Sequence, residues 1–367
     1  MKITIVQGAF LPVPPVRGGA VERVWFGLGK TFAARGHEVT HFSRSFPGLP
    51  SQETIDGVRH IRRSGFEAPG SMVKLKCRDL QYSLAMRRAL PAADILVTNT
   101  FFLPMLIRNR NFGRLCVHVA RLPKGQMKFY RHADRLQAVS TVTAEAIAAE
   151  CPSCAPLVRV LPNHLDDQWF VQPASAQRDD SILYVGRIHP EKGLDILLEA
   201  TAKLSSHPEL RIVGPWESNA GGGGEEYFQS LKKKACDLGL SVEWVGPIYD
   251  VRKLVAAYDR SSTFVYPSVA DRGETFGVAP LEAMARGCVT VLSDLKCFRD
   301  FARPGENCLE FKRSEDAAVS LAKAIENAME ASKTEDMRKR AQATAAEFHL
   351  EKVATKYLDD FEELMQQ

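Results

Sequence analysis

Short β-branched runs alternate along the chain with stretches of helical period. Lys2-Ile-Thr-Ile-Val6 is the first such run and predicts a strand. A loop rich in Pro and Gly follows at 12–19. Val21, Val24, Trp25, Leu28 and Phe32 then recur at helical spacing, which predicts a helix over 20–35 that Gly36 stops. Glu38-Val-Thr-His-Phe42 reads as the next strand. Strand, loop, helix, strand is a βαβ unit and implies a parallel sheet. The alternation continues through a helix at 71–90, strands at 95–98, 115–119 and 136–139, a helix from about 144 capped within Ser140-Thr-Val-Thr143, and a strand at 158–161.

Residues 172–180 are polar and poor in apolar side chains, the composition of a linker. The pattern then restarts, with strands at 181–185, 210–213, 242–245, 263–266 and 290–292 and helices at 193–204, 225–238, 251–258, 280–285, 317–331 and 350–365. The run Gly221 to Gly224 reads as a flexible loop. The expected architecture is α/β: two doubly wound domains at 1–170 and 181–345, a linker over 171–180, and a helical tail over 346–367. Ligands are expected at the carboxyl ends of the strands.

Composition narrows the class. Of 367 residues, 45% are apolar and 25% charged, which excludes a disordered chain, a collagen-like repeat or a disulfide miniprotein. The net charge of +4 hides a split. Residues 1–170 carry 23 Lys+Arg against 12 Asp+Glu, a net of +11, and the rest carry 25 against 32, a net of −7. The start, MKITIVQGAF, lacks the apolar stretch and cleavage site of a secretory signal. The most lipophilic window, 95–107, contains Thr98, Asn99, Thr100 and Pro104 and is too short and polar to span a bilayer. A cytoplasmic location is expected, with peripheral contact at the inner face of the membrane. The eight Cys are scattered, and in a reducing compartment they are buried small apolar residues. Cys151-Pro-Ser-Cys154 has no second pair or matched histidines, so no metal site is expected.

Three loops, each after a predicted strand, carry the candidate chemistry. In Arg17-Gly18-Gly19-Ala-Val-Glu22, two glycines before a helix let backbone N–H groups approach an anion. In Gly186-Arg187-Ile-His-Pro-Glu-Lys192-Gly193, two cations lie on a loop entering a helix, where they oppose the helix dipole, and an anionic ligand would resolve the conflict. In Glu274-Thr-Phe276-Gly277-Val278-Ala-Pro-Leu-Glu282, two carboxylates could accept hydrogen bonds from the hydroxyls of one ligand. The bland alternatives are a tight turn, two solvated cations, and a solvated loop acid with a dipole-stabilising acid in a first helical turn.

With Tyr266-Pro-Ser268 before it and Gly287 after it, the third segment resembles the E-x7-E signature of retaining, nucleotide-sugar-dependent glycosyltransferases of family 4, which have the GT-B fold. Leu183-Tyr-Val-Gly-Arg-Ile-His-Pro-Glu-Lys-Gly-Leu-Asp195 resembles that family's donor-phosphate loop, and Gly18-Gly19, His118 and Leu161-Pro-Asn163 follow its order. The resemblance implies two Rossmann-like domains facing across a cleft, with the final helix packing back on the first. It implies that Arg187 and Lys192 hold the donor diphosphate, that Glu282 binds ribose, and that Glu274 meets sugar hydroxyls. By the same resemblance, the backbone of Phe276, Gly277 and Val278 touches sugar and phosphate, with Gly186 and Gly214 in donor-binding loops. Gly19 closes over the phosphate, and His118, whose bland alternative is a satisfied strand-end histidine, lies beside the transferred sugar. Two departures stand out. Asn163-His164 replaces the usual Asn-Gly near the hinge, where a positive φ would cost more for His. Pro215-Trp216 and the glycine run replace the usual residues after Gly214, on the loops where the base would rest.

The implied activity is sugar transfer from a nucleotide sugar to an anionic or lipid-linked glycan acceptor, with retention of configuration, no cofactor and no metal. A GT-B sugar-nucleotide epimerase and a non-catalytic sugar-nucleotide-binding protein are the alternatives. Basic clusters in the first half, above all Arg62, Arg63, Lys74, Lys76 and Arg78, are the expected acceptor or membrane surface. No nucleic-acid recognition motif is present.

Overall fold

The computed structural model describes residues 1–67, 70–171, 178–206, 208–313, 316–332 and 335–367. The chain divides into two compact units, Met1–His164 with Leu350–Gln367, and Leu165–His349.

The first unit is built on an eight-stranded sheet of order β3-β4-β2-β1-β5-β6-β7-β8, from β1 (Lys2–Val6), β2 (Glu38–Arg44), β3 (Gln52–Ile55), β4 (Val58–Arg63), β5 (Ile95–Thr98), β6 (Arg114–Val119), β7 (Arg135–Ala138) and β8 (Val158–Val160). Every pairing is parallel except β3 with β4. Alternation along each strand separates two cores. Ile3 and Ile5 face Trp25, Leu28 and Phe32 of helix Ala20–Ala34 and Val353, Tyr357 and Phe361 of helix Leu350–Gln366. Val6, Phe42, Leu96 and Val117 face the other way, toward Tyr82 and Met86 of helix Met72–Ala89 and Ile147 of helix Thr141–Glu150. The Ser140 hydroxyl caps the latter helix by accepting from the Thr143 N–H at 3.2 Å.

The second unit holds a six-stranded parallel sheet of order β11-β10-β9-β12-β13-β14, from β9 (Asp179–Val185), β10 (Leu210–Val213), β11 (Val242–Gly246), β12 (Ser261–Tyr266), β13 (Val289–Ser293) and β14 (Leu309–Phe311). The strand order reverses between β9 and β12, and a ligand is expected outside that point.

Three expectations need correction, and the cost raised at His164 does not arise. Leu165–Val171 belongs with the second unit rather than ending the first: Trp169 is buried edge-on to Tyr258, and Arg286 donates to the Trp169 and Val171 carbonyls. Of the expected linker, 172–177 lie outside the described residues; Arg178 is fixed structure, donating to the carbonyls of Tyr258 and Ser261. His164 is not in the left-handed region, which among non-glycine described residues holds only Asp56; its Nε2 lies 3.0 Å from the Val24 carbonyl. The glycine run is not a loose loop: Gly222 N–H donates to Glu217, Gly223 N–H to Ile188 and Gly224 N–H to Trp216. Without Cβ atoms these residues approach backbone so closely that such bonds form. Among the described residues no helix is long and apolar enough to cross a membrane.

Candidate active site

β9 and β12 are neighbours and parallel, so the loops leaving them rise from the same sheet edge. The first loop carries Arg187 and Lys192 into helix Leu194–Thr201; the second carries Glu274 into helix Val278–Ala285. Lys192 Nζ lies 2.7 Å from Glu274 Oε2, with the two side chains 6% and 11% exposed. The Tyr266 hydroxyl donates to the same oxygen at 2.9 Å, and Lys192 Nζ stands 5.4 Å from the centre of that ring. Burial, then the Glu274 charge, pushes the Tyr266 hydroxyl well above its ordinary range, so it stays a donor. Arg187 donates to Glu191 at 2.7 Å and to the Gly221 carbonyl at 2.5 Å. Each cation thus has a carboxylate in reach.

Glu282 is 5% exposed and accepts from the Tyr258 hydroxyl at 2.9 Å. Its helix begins at Val278, two residues before the predicted start, so Glu282 stands beyond the first turn and the simple dipole role weakens. Gly277 caps that helix at φ 89°, and a Cβ there would come within 2.6 Å of the Phe298 ring. The Phe276 side chain packs against Phe301 and Phe348. Gly186 and Gly214 sit on adjacent strand ends, the Gly186 N–H donating to Val213 and the Gly214 N–H to Gly246.

In the first unit Gly18 and Gly19 have φ of 74° and 101°, and Gly19 precedes helix Ala20–Ala34. A Cβ at Gly19 would meet the Glu22 carboxylate at 2.2 Å. Burial raises the Glu22 pKa, against the pull of its own backbone N–H and Arg121. His118 is 4% exposed, edge-on to Trp25 at 5.3 Å, and neither ring nitrogen has a hydrogen-bond partner among the described residues. Burial pushes its pKa down to about 4, so the ring is neutral at pH 7.

The sequence reading missed two neighbours of His118. The register pairs Val6 with Thr98 and Thr98 with Val117, so Gln7 and Asn99, the first residues past β1 and β5, stand level with His118 on β6. Both Gln7 amide atoms and Asn99 Oδ1 are buried, with no hydrogen-bond partner among the described residues. The available signal was a polar residue ending each apolar run.

The basic cluster divides. Arg62 is a correction: it is 2% exposed and donates to the carbonyls of Val13 and Pro50, with Glu53 at 2.6 Å. The β3–β4 hairpin makes β4 an inner strand, so Arg62 is structural. Arg63 is half-buried, while Lys74, Lys76 and Arg78 are exposed on helix Met72–Ala89 beside the exposed Met72 and Val73. Cys151 and Cys154 are bonded to each other and buried, a correction to the expectation of free thiols. Among the described residues no three His, Cys, Asp or Glu side chains converge as a metal site.

Two family profiles tile the chain: Glycosyltransferase Family 4 matches residues 17–169 and Glycosyl transferases group 1 matches 166–344. A D-inositol 3-phosphate glycosyltransferase from Nocardioides is 31% identical, covering 82% of this chain and 76% of that protein. A putative glycosyltransferase of Bacillus subtilis, YtcC, is 24% identical over 60% of this chain and 58% of its own length. A phosphatidyl-myo-inositol mannosyltransferase of Mycobacterium tuberculosis is 32% identical over 40% of this chain and 37% of its own length. The chain thus spans less than two thirds of the length of the latter two relatives. Among solved structures, sucrose-phosphate synthase from Thermosynechococcus elongatus superposes with a TM-score of 0.81 at 21% identity, covering 100% of both chains. HepE from Anabaena in complex with UDP-glucose gives 0.73 at 18% identity, covering 99% of this chain and 100% of that one. The likeness to the Nocardioides enzyme along most of both chains, with the paired profiles and the shared fold, places this chain in glycosyltransferase family 4, with the GT-B fold.

Proposed function

We propose that the protein transfers a sugar from a nucleotide-sugar donor to an acceptor with retention of configuration. The observation that carries this reading is the cluster at the β9/β12 edge, where Lys192, Glu274 and Tyr266 meet within hydrogen-bond distance on loops that also hold Arg187. Breaking a sugar–phosphate bond builds negative charge on the diphosphate, and prepositioned cations lower that barrier. Arg187 and Lys192 supply this charge, so the reaction in this reading needs neither cofactor nor divalent metal. Glu274 takes the sugar hydroxyls and Glu282 the ribose. In the first unit this reading assigns His118, a buried neutral ring, to the transferred sugar and Gly19, at a helix start, to phosphate.

HepE, of the same fold, binds UDP-glucose, and two of the relatives are named for inositol acceptors, one of them a phospholipid. These likenesses support a nucleoside diphosphate donor and an anionic or lipid-linked acceptor, the latter met by Lys74, Lys76 and Arg78. The test is a thermal-shift panel of nucleotide sugars followed by product analysis. A ligand at 100 times its Kd should stabilise the fold by about 2.7 kcal/mol. No shift with any donor would overturn the reading, and isomerised donor without transfer would favour an epimerase. Salt-sensitive flotation with anionic liposomes is the expected result for membrane contact; its absence would remove that part.

A further inference from the structure

The segment after β10 departs from the family's pattern, and of its four glycines only Gly221 has entered the site described so far, through Arg187. The hydrogen bonds place them. Residues 215–224 fold back onto the loop that carries Arg187: the Ile188 N–H donates to Pro215 at 2.8 Å, and the Gly223 N–H donates to Ile188 at 2.8 Å. Arg187 answers by donating to the Gly221 carbonyl. The segment is anchored at both ends. Trp216 stacks on Phe228 at 4.3 Å and donates from its indole to Glu225, and the Tyr227 hydroxyl donates to Asp195. The approach is close enough to demand glycine. A Cβ at Gly222 would lie 2.2 Å from the Trp216 backbone, and one at Gly223 would lie 2.7 Å from the Tyr227 ring.

We propose that this glycine segment is a positioning element for the donor diphosphate: the Gly221 carbonyl on one side and the Glu191 carboxylate on the other fix the plane of the Arg187 guanidinium. The inference rests on the donor reading above. A guanidinium has five N–H donors in a rigid fork. Two are spent on these holders, and the side chain is still 42% exposed, so the rest face outward in a preset direction. Preset orientation removes the entropy cost of ordering a long side chain when the phosphate arrives. Gly221 and Glu191 are thus positioning residues acting through Arg187, and their effect falls on the diphosphate rather than the nucleoside.

The test is calorimetric titration of the full chain with UDP, GDP and ADP and with the matching nucleosides, in a double-mutant cycle of Gly222→Ala and Arg187→Ala. Gly222→Ala should weaken the bound nucleoside diphosphate about tenfold more than it weakens the matching nucleoside, the scale of one charge-assisted hydrogen bond. In the Arg187→Ala background that difference between diphosphate and nucleoside should vanish. If Gly222→Ala does not fold, Glu191→Gln serves the same cycle from the other side, with the same null effect once Arg187 is gone. An equal loss in both backgrounds, equal weakening of the nucleoside, or no loss at all would overturn the proposal. A native chain that binds none of the three nucleoside diphosphates would instead overturn the donor reading, and the positioning role with it.

Discussion

Glu274 Oε2 accepts from both Lys192 and Tyr266, so Lys192→Ala leaves a half-buried carboxylate with one of its two donors. The fold should survive, since the Tyr266 bond remains, but turnover should fall by roughly 100-fold or more, the scale of a lost transition-state cation. Release of nucleoside diphosphate at saturating donor measures it, and near-normal transfer would exclude Lys192 from catalysis. His118 makes a pH prediction. Its folded pKa, about 4, lies below the ordinary value of 6.5. Between those values the unfolded chain binds more protons, so this residue makes stability rise with pH across that window and adds nothing further above it. His118→Gln should flatten the slope of urea-unfolding free energy between pH 4 and 6.5, by up to roughly 3 kcal/mol over the window. An unchanged slope would refute the burial argument.

At the scale of elements, Ser140 is the clearest local determinant. It is fully buried and caps helix Thr141–Glu150, so Ser140→Ala should cost about 1 kcal/mol in chemical denaturation. Elements with a clear period were legible: helix Ala317–Ala331 lies where its apolar spacing predicts it. Elements without one were not. Gln52–Ile55 is an edge strand with no buried position, and Val58–Arg63 buries His60 and Arg62, residues that read as polar. Helix Asp336–Ala346 buries only Met337 and two alanines, too little to mark a face among its charges. The site divides the same way. Arg187, Lys192, Glu274 and Glu282 were visible because a loop motif holds them in one stretch each. Gly221 gains its role from Arg187, 34 residues away, and Lys192 from Glu274, 82 residues away. Gln7 and Asn99 become neighbours only through strand register, and Arg62 parts from Arg63 only because the strand's pleat turns it inward.

At the scale of the molecule, the helix Leu350–Gln366 completes the first unit. Arg135, buried on β7, pairs with Asp360 of that helix at 2.8 Å, the two side chains 3% and 5% exposed. Removing one partner strands a buried charge, and Glu363 at 3.1 Å from Arg135 compensates in part. Asp360→Ala should therefore cost about 3 kcal/mol, the lower end for a broken buried pair, read as a shifted urea midpoint at unchanged slope. The helix has one more consequence, for the order in which the protein is made. Residues 165–349 leave the ribosome before residues 350–366 do, so the second unit can close its core while the first still exposes the surface awaiting Val353, Tyr357 and Phe361. The second unit, contiguous in sequence, then does not depend on the last helix to close its core, whereas the first unit does. A chain truncated after residue 349 should yield a protease-resistant fragment from the second unit and rapid cleavage in the first, and the half-made first unit is then the part that needs chaperone cover.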